Sequence, residues 1–282
     1  MKIGIIGSSG FVGKNLTNYL KRNTIYKIVN FASYSRNKKN WINKVALEIK
    51  KNKPEIIINC AANQNLKPSK KDFLDILNSN LFSNVIFINQ SLQNKNFKGY
   101  ISFGSKWELG DTKRKKPLNF YAATKKANDI FFNYYSNSKS AIVSLKVFDT
   151  YGKNDLRKKF INDLLSSYRK NKFLSITAGK QYLDYININD LLRLLLIIIE
   201  DIKKNKLKGF KSYTVSSKKP IQLISLVSKL QKILNNKLKV KIGKKKYRQN
   251  ESIYPTIKTF NYPNWKPKYD LFNELKKIFD EK

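Results

Sequence analysis

The sequence predicts an α/β fold: a parallel, doubly wound sheet with a smaller C-terminal α/β region. Three observations predict it. Short apolar runs alternate with amphipathic stretches through the first half, a glycine-rich turn follows the first run at once, and no internal repeat or long flexible linker separates the two parts. Parallel strands need crossover connections, so alternating β and α elements stack as a sheet with helices on both faces.

The runs "KIGIIG", "YKIVNF", "EIIINC", "GYISFG" and "AIVSLKVF" read as strands, and residues 11–22, 40–52, 71–94 and 118–137 read as helices between them. Past residue 153 the rhythm loosens. A helix near 158–171 precedes a short "FLSIT" strand, and "YLDYININD" leads into a helix over 190–200. Then come "SYTVSS", a helix near 221–235, "LKVKIG" and a closing helix near 271–281. Turn residues cluster in "YPNWKPKYD" ahead of that last helix. The expected division gives residues 1–152 and about 182–203 to the sheet domain, and about 153–181 and 204–282 to the second region.

Composition narrows the chemistry. The 282 residues contain no histidine and one cysteine, Cys60, so no internal disulfide, zinc-finger spacing or Ser-His-Asp triad can be built. A reducing cytoplasm is the expected compartment. The most apolar run, "LLRLLLIIIE", breaks at Arg193 and stops at Glu200, well short of the ~20 residues of a membrane span. "MKIGIIGSSGFVGK" reads as a strand and turn, not as a leader, because glycines and serines interrupt it. The net charge of +38 has two readings. One is a solvated basic surface produced by lysine-rich usage; the other is attraction of a polyanion such as nucleic acid.

The first strand runs into "GSSGFVG", which spaces Gly7, Gly10 and Gly13 ahead of a helix opening near Phe11. Such a turn points backbone N–H groups at a helix N-terminus and lets a pyrophosphate approach, so a dinucleotide site is expected there, with Ser9, Phe11 and Val12 in the same loop. An NAD site usually ends its second strand on a carboxylate that binds the ribose. Here "IVNFASYSRNKK" has none, and Asn30, Ser33, Ser35 and Arg36 suit a 2′-phosphate, which favours NADP(H) over NAD(H).

In "FYAATKKAND" Tyr121 and Lys125 stand four residues apart, one turn along the same helix face. An ammonium beside a phenol favours the phenolate and brings a group of pKa ~10 toward useful proton transfer. In a lysine-rich chain such a pair also arises by chance. Ser105, at the carboxyl end of the "GYISF" strand, adds a hydroxyl that can share a substrate oxygen with Tyr121.

Taken in order, "GSSGFVG", "PEIIINCAAN", Asn80, "SKWELG", "YAATK", "VFDTYGKND", "LDYININD" and "NWKPKYDL" resemble the extended short-chain dehydrogenase/reductases of the NAD-dependent epimerase/dehydratase family across nearly the whole chain. The resemblance implies a Rossmann-like cofactor domain, a C-terminal substrate-binding region, a nucleotide-sugar substrate and a homodimer formed through paired helices, with no metal. It implies Tyr121 as general acid/base, Lys125 as the group that binds the nicotinamide ribose and depresses the tyrosine pKa, and Ser105 as the residue orienting the sugar oxygen. Cys60, Ala61, Ala62, Asn80 and Phe148 are implied at the cofactor, and Asn63, Lys106, Trp107, Asp149 and Arg248 at the substrate.

Departures from the family pattern narrow the reaction. Lys106 and Trp107 replace the Asp-Glu pair that expels water in the dehydratases. Leu183 replaces a pyrophosphate-binding arginine, Lys153 a proline and Asp149 a common asparagine, while Arg248 resembles the second phosphate-binding arginine. "GSKWELG", "NFYAATK" and "FDTYGKND" together are most similar to the branch of CDP-abequose and CDP-paratose synthases, which implies reduction of a 4-keto-deoxysugar by NADPH. An NAD-dependent 4-epimerase is the alternative. A non-catalytic dinucleotide fold binding polyanions or RNA is a third reading, which leaves Ser105, Tyr121 and Lys125 without a task. Lys146, Asn63, Asp184 and Tyr185 are expected either to touch ligand or to pack.

Overall fold

In a computed structural model, which describes residues 1–31, 40–66, 68–248, 251–255 and 259–281, strand β1 (Lys2–Ile6) leads through the glycine turn into helix α1 (Phe11–Asn23). β2 (Lys27–Phe31), α2 (Trp41–Asn52) and β3 (Ile56–Asn59) follow. The long helix expected over 71–94 is α3 (Asp72–Leu77) and α4 (Ser83–Leu92) joined by a π-helical turn over Asn78–Phe82. After it come β4 (Gly99–Ser105), a 3₁₀ turn (Lys106–Glu108), α5 (Phe120–Tyr134), β5 (Ala141–Val147) and β6 (Asp149–Tyr151).

The second part holds α6 (Phe160–Arg169), β7 (Leu174–Ser175), β8 (Tyr182–Leu183), β9 (Tyr185–Asn187), α7 (Ile188–Lys203), β10 (Gly209–Val215), β11 (Ile221–Gln222), α8 (Leu223–Ile233), β12 (Val240–Lys241) and α9 (Leu271–Asp280). Six strands form one parallel sheet in the order β10-β5-β4-β3-β1-β2. The chain moves outward from β1 to β2 and then returns to the other side of β1 for β3. That reversal opens a crevice at the carboxyl ends of β1 and β3, where Gly7 and Cys60 follow directly.

Both faces of the sheet are covered, as a parallel sheet requires. Alternation sends Ile3, Ile5, Ile56 and Ile58 to the face packed by α1 and α7, where Leu16, Leu20, Leu191, Leu194, Leu195 and Ile198 meet them. Ile6, Ile57, Tyr100 and Ile142 face α2, α4 and α5 through Val45, Ile49, Phe87, Ile88 and Phe132. "LLRLLLIIIE" is therefore a core helix. Its Asp190, 1% exposed, accepts hydrogen bonds from the backbone of Lys268 (2.8 Å) and Tyr269 (3.1 Å) and pairs with Arg193 at 2.7 Å, tying the C-terminal segment to α7.

A separate core joins α6, α8 and α9 through Leu164, Leu226, Val227, Leu230, Leu275 and Phe279. Part of the stretch after residue 204 packs with the sheet. β10 hydrogen-bonds along the edge of β5, and Val215, Tyr262 and Trp265 pack into the sheet's own core. The alternation in "SYTVSS" signals a strand but not its neighbour, because pairing is decided by contacts distant in sequence.

Candidate active site

The glycines of the first turn do different jobs. Gly7 takes φ +76°, and a Cβ there would sit 2.8 Å from the Ala61 nitrogen; a Cβ on Gly13 would sit 2.3 Å from the Gly7 carbonyl oxygen. Gly10 caps α1 without any side-chain acceptor, which leaves first-turn N–H groups facing the crevice. A cavity of about 670 Å³ opens there, bounded by Gly7, Ser9, Gly10, Phe11 and Val12 on one side and by Cys60, Ala61 and Ala62 on the other. The backbone cradle and the uncapped helix end fit a dinucleotide pyrophosphate.

Ser33 and Arg36 lie outside the described residues. Asn30 is at the carboxyl end of β2, where its Oδ1 accepts from Thr17 Oγ1 at 3.2 Å. Asn80 is fully buried in the π-helical turn. It accepts from the Asn63 backbone at 2.8 Å and donates to the Asn63 carbonyl at 2.9 Å, so it fixes the loop after β3 from behind.

Ser105 ends β4 and caps the 3₁₀ turn, its Oγ accepting from the Trp107 backbone at 3.3 Å. Tyr121 lies in the first turn of α5, whose cap Asn119 accepts from Ala122 N at 2.8 Å. Both side chains open onto one cavity of about 120 Å³ that Val12, Cys60, Ala62 and Phe148 also line. Tyr121 is 5% exposed, with the Trp107 ring set edge-on at 6.3 Å.

Burial raises the Tyr121 pKa well above its ordinary value, the Glu108 charge adds to this, and a hydrogen bond from Gln64 opposes both. The expected depression by Lys125 is thus corrected: in this fold desolvation dominates, and the phenol stays protonated at neutral pH. Lys125 is itself buried, 3% exposed, and burial brings its ammonium down to about 8, with Glu108 pulling up and Lys146 pushing down. Among the described residues no side chain accepts a hydrogen bond from it or pairs with it. A largely buried lysine one turn from Tyr121, without a side-chain partner among the described residues, fits a ribose hydroxyl. Cys60, pushed up to about 12 by burial, remains a thiol and offers no nucleophile.

A third cavity, of about 280 Å³, joins the catalytic one through Lys106, Trp107, Asp149 and Lys159. Lys245, Lys246 and Arg248 give one wall positive charge, and Phe160, Leu174, Ile176 and Leu223 supply apolar surface. Lys106 binds Asp149 at 2.5 Å. Burial pushes the Asp149 carboxyl up, but Lys106, Lys159 and Arg157 together hold it below its ordinary range. Leu183 and Tyr185 line this cavity. Asp184 instead accepts from Ser216 Oγ at 2.7 Å and Ser217 N at 2.8 Å, a packing role. Lys146, 1% exposed, pairs with Glu108 at 2.5 Å and Asp129 at 2.7 Å and lines none of these three cavities.

Sequence reasoning missed several residues here. Gln64 borders all three cavities, one position beyond the expected Asn63. Arg157 borders the glycine-loop and catalytic cavities, its guanidinium 4.3 Å over the Phe11 ring and donating to the Thr150 carbonyl at 3.1 Å. The basic run "RKKF" was its only signal, and that run looks like ordinary surface charge. Among the described residues no cluster of His, Cys, Asp or Glu could hold a metal, and no helix is long and apolar enough to cross a membrane.

A glycine cradle, a Ser/Tyr/Lys constellation and a basic cavity on a parallel sheet define a dinucleotide-dependent enzyme class, and comparison with known sequences agrees. The chain belongs to the NAD dependent epimerase/dehydratase family, whose model matches residues 3–211. It is 25% identical over 281 residues to CDP-abequose synthase of Yersinia pseudotuberculosis, covering 93% of this chain and 94% of that protein. Among solved structures it resembles UDP-glucuronic acid 4-epimerase from Bacillus cereus in complex with UDP-glucuronic acid and NAD, with TM-score 0.82, 19% identity and 99% and 98% of the two chains covered. It also resembles RMD from Pseudomonas aeruginosa complexed with NADPH, with TM-score 0.76, 18% identity and 99% and 96% covered.

Proposed function

We propose that the protein is an NAD(P)-dependent oxidoreductase of nucleotide-activated sugars, which reduces a 4-keto-deoxysugar with Tyr121 as proton donor. The observation that carries this is continuity. Gln64 borders the glycine-loop, catalytic and basic cavities alike, so Ser105 and Tyr121 lie between a dinucleotide cradle and a diphosphate-sized basic pocket. The likeness to CDP-abequose synthase supports a ketosugar reductase over other reactions of the family.

When bound, a nicotinamide supplies the hydride; the protein supplies orientation and a proton. The glycine cradle and α1 N-terminus would hold the pyrophosphate, and Lys125 a ribose hydroxyl. Ser105 Oγ orients the sugar carbonyl, and the buried Tyr121 hydroxyl gives its proton to that oxygen as charge develops there. Lys106, bound to Asp149, and Trp107 provide no carboxylate pair for dehydration. NADP(H) is the favoured cofactor because the second strand ends without a carboxylate.

Arg248, with Lys245 and Lys246, is assigned to the nucleotide diphosphate. Arg248→Ala is expected to raise KM for the nucleotide sugar about tenfold, near 1.4 kcal/mol, and to leave kcat within about threefold. Steady-state kinetics checks this; a large fall in kcat at unchanged KM would remove Arg248 from the diphosphate site. The second reading, a 4-epimerase, keeps NAD bound through its cycle. Assaying the nicotinamide released from heat-denatured, dialysed protein separates the two: the reductase releases little, whereas stoichiometric NAD favours the epimerase.

Two further assignments accompany this reading. A cytoplasmic location suits a chain with one free thiol. A homodimer suits the exposed Ile130 and Tyr134 of α5 (74% and 79%) and the exposed Phe82 of the π-helical turn and Ile86 of α4, a helix that packs on α5, since monomers rarely leave many large apolar groups in water. Light scattering at twice the chain mass, falling to one chain mass in Ile130→Glu, is the expected result; a monomeric parent protein contradicts it.

A further inference from the structure

A carboxylate and an ammonium are sealed together directly behind the catalytic groups. Glu108 has 0% and Lys146 1% side-chain exposure, with 2.5 Å between Oε2 and Nζ. Removing two such charges from water costs several kcal/mol per ion before their attraction is counted, so the pair is weak as a pure stability device. Its placement is informative. Glu108 Oε1 accepts from the Ser105 backbone at 2.6 Å, closing the capping box of the 3₁₀ turn. Lys146, from β5, also donates to Asp129 on α5 at 2.7 Å and to Ser144 Oγ at 3.0 Å. Asp129 lies one turn beyond Lys125 and is bound on its other oxygen by Lys126 at 3.1 Å. The network thus ties β4, β5 and α5 at the level of Ser105, Tyr121 and Lys125.

The strand in front of it is shaped for the pair. A Cβ on Gly104 would sit 2.4 Å from Glu108 Oε1 and 2.8 Å from Lys146 Cδ, so the residue before Ser105 has room for no side chain. Every charged group facing the pair can be named. Lys146 approaches from β5, Asp129 with Lys126 and Lys125 from α5, the Tyr121 phenol from the same helix, and the Cys60 thiol lies beyond Lys125. Glu108 and Asp129 together engage Lys146 and Lys126, so Lys125 is the ammonium left without a carboxylate partner among the described residues.

We propose that Glu108 is a positioning residue, clamped by Lys146, which fixes Ser105 through its backbone and sets a carboxylate directly behind Tyr121 and Lys125. This rests on the reading of Ser105, Tyr121 and Lys125 as the catalytic constellation. Glu108 lines none of the three cavities and does no chemistry itself. Burial pushes the Glu108 carboxyl above its ordinary range and the Lys146 ammonium opposes this; in its ionised form Glu108 acts upward on both the phenol and the Lys125 ammonium, against the burial that pulls the ammonium down.

The test is Glu108→Gln, which keeps an acceptor for Ser105 N but removes the charge. Two readouts are needed. In the first, lysines are labelled by ¹³C reductive methylation and the Lys125 resonance is assigned by its loss in Lys125→Met; NMR titration then follows it without any substrate. Lys125 is expected to lose its proton at lower pH in the variant by one unit or more. In the second, kcat of the assembled enzyme is expected to fall about 10- to 100-fold with KM within threefold, and its alkaline limb to move to lower pH. Should Glu108→Gln fold poorly, Glu108→Gln/Lys146→Met compared with Lys146→Met replaces it in both experiments, because removing Lys146 by itself relieves a charge that pushes Lys125 down and only the difference between the two variants reports Glu108. An unchanged Lys125 titration and pH profile in whichever variant folds would overturn the proposal and leave the pair a buttress. A shifted titration in a protein with no ketosugar activity would uphold the electrostatic link and overturn instead the reading of the reaction.

Discussion

Tyr121→Phe is expected to lower kcat by about 10²- to 10⁴-fold, the range set by losing a positioned proton donor. Only the hydroxyl is removed. The ring stays edge-on to Trp107 and within the first turn of α5, so the fold and dinucleotide affinity should be kept. Rapid-mixing absorbance of NADPH consumption checks the rate, and fluorescence titration of NADPH checks the affinity. The high pKa of Tyr121 fixes the sign of the pH dependence. A proton donor works below its pKa, so the Tyr121 phenol should not limit reduction at neutral or mildly alkaline pH; the alkaline limb belongs to Lys125, near 8, and should persist in the residual activity of the phenylalanine variant. Retention of more than a tenth of kcat would place the proton donor elsewhere.

Lys125→Met should be the other severe variant, with an opposite effect on stability. Its ammonium has no hydrogen-bond or ion-pair partner among the described residues, so removing it should cost about tenfold or more in dinucleotide affinity and 10² or more in kcat. The same change should stabilise the fold. Burial holds the folded pKa near 8, below the ordinary value near 10.5, so the unfolded chain binds the additional proton between those values. Stability of the parent protein therefore rises with pH across that window, and the penalty of the buried charge is fully present below about pH 8. Lys125→Met removes a cost of order 2–3 kcal/mol at pH 7 and almost nothing above about pH 10.5. Urea unfolding at pH 7 and pH 10.5 measures both limits. A methionine variant less stable than the parent at pH 7 would show that Lys125 is paired in a way this structure does not contain.

The cofactor end of the fold is legible in the sequence because its signals are local. "KIGIIG" followed by "GSSGFVG" needs no distant partner to be read as strand, turn and helix start, and the structure places both where periodicity puts them. Tyr121 and Lys125 are legible as a pair by helical spacing, and Ser105 by its position at a strand end. Partners distant in sequence are the part that spacing conceals. β10 joins β5 across sixty-odd residues of chain, and nothing in "SYTVSS" names that neighbour. Glu108 carries no mark in "SKWELG" that separates it from other polar residues, whereas Lys146, expected either to touch ligand or to pack, is an oddity in the apolar run "AIVSLKVF".

That oddity was the usable signal. A lysine inside a fully buried parallel strand must find a carboxylate, and a chain with only 19 acidic residues offers few. Arg157 and Lys159 were hidden for the opposite reason: among 57 basic residues, those turned inward carry no mark in the sequence that separates them from the solvated ones. Desolvation was likewise invisible. Spacing shows that Lys125 neighbours Tyr121, but only burial shows that the phenol's pKa goes up.

The central claim is that Ser105, Tyr121 and Lys125 assemble a ketosugar reductase between a dinucleotide cradle and a basic nucleotide pocket. Mass spectrometry of a single turnover tests it most directly, with NADPH deuterated on the transferable face of nicotinamide C4 and a CDP-linked 4-keto-deoxysugar as acceptor. The expected result is one deuterium at the sugar C4 and one NADP⁺ formed per sugar reduced. No deuterium in the sugar and no net NADPH consumption, with a CDP- or UDP-hexose instead interconverted with its C4 epimer by protein-bound NAD, would contradict it.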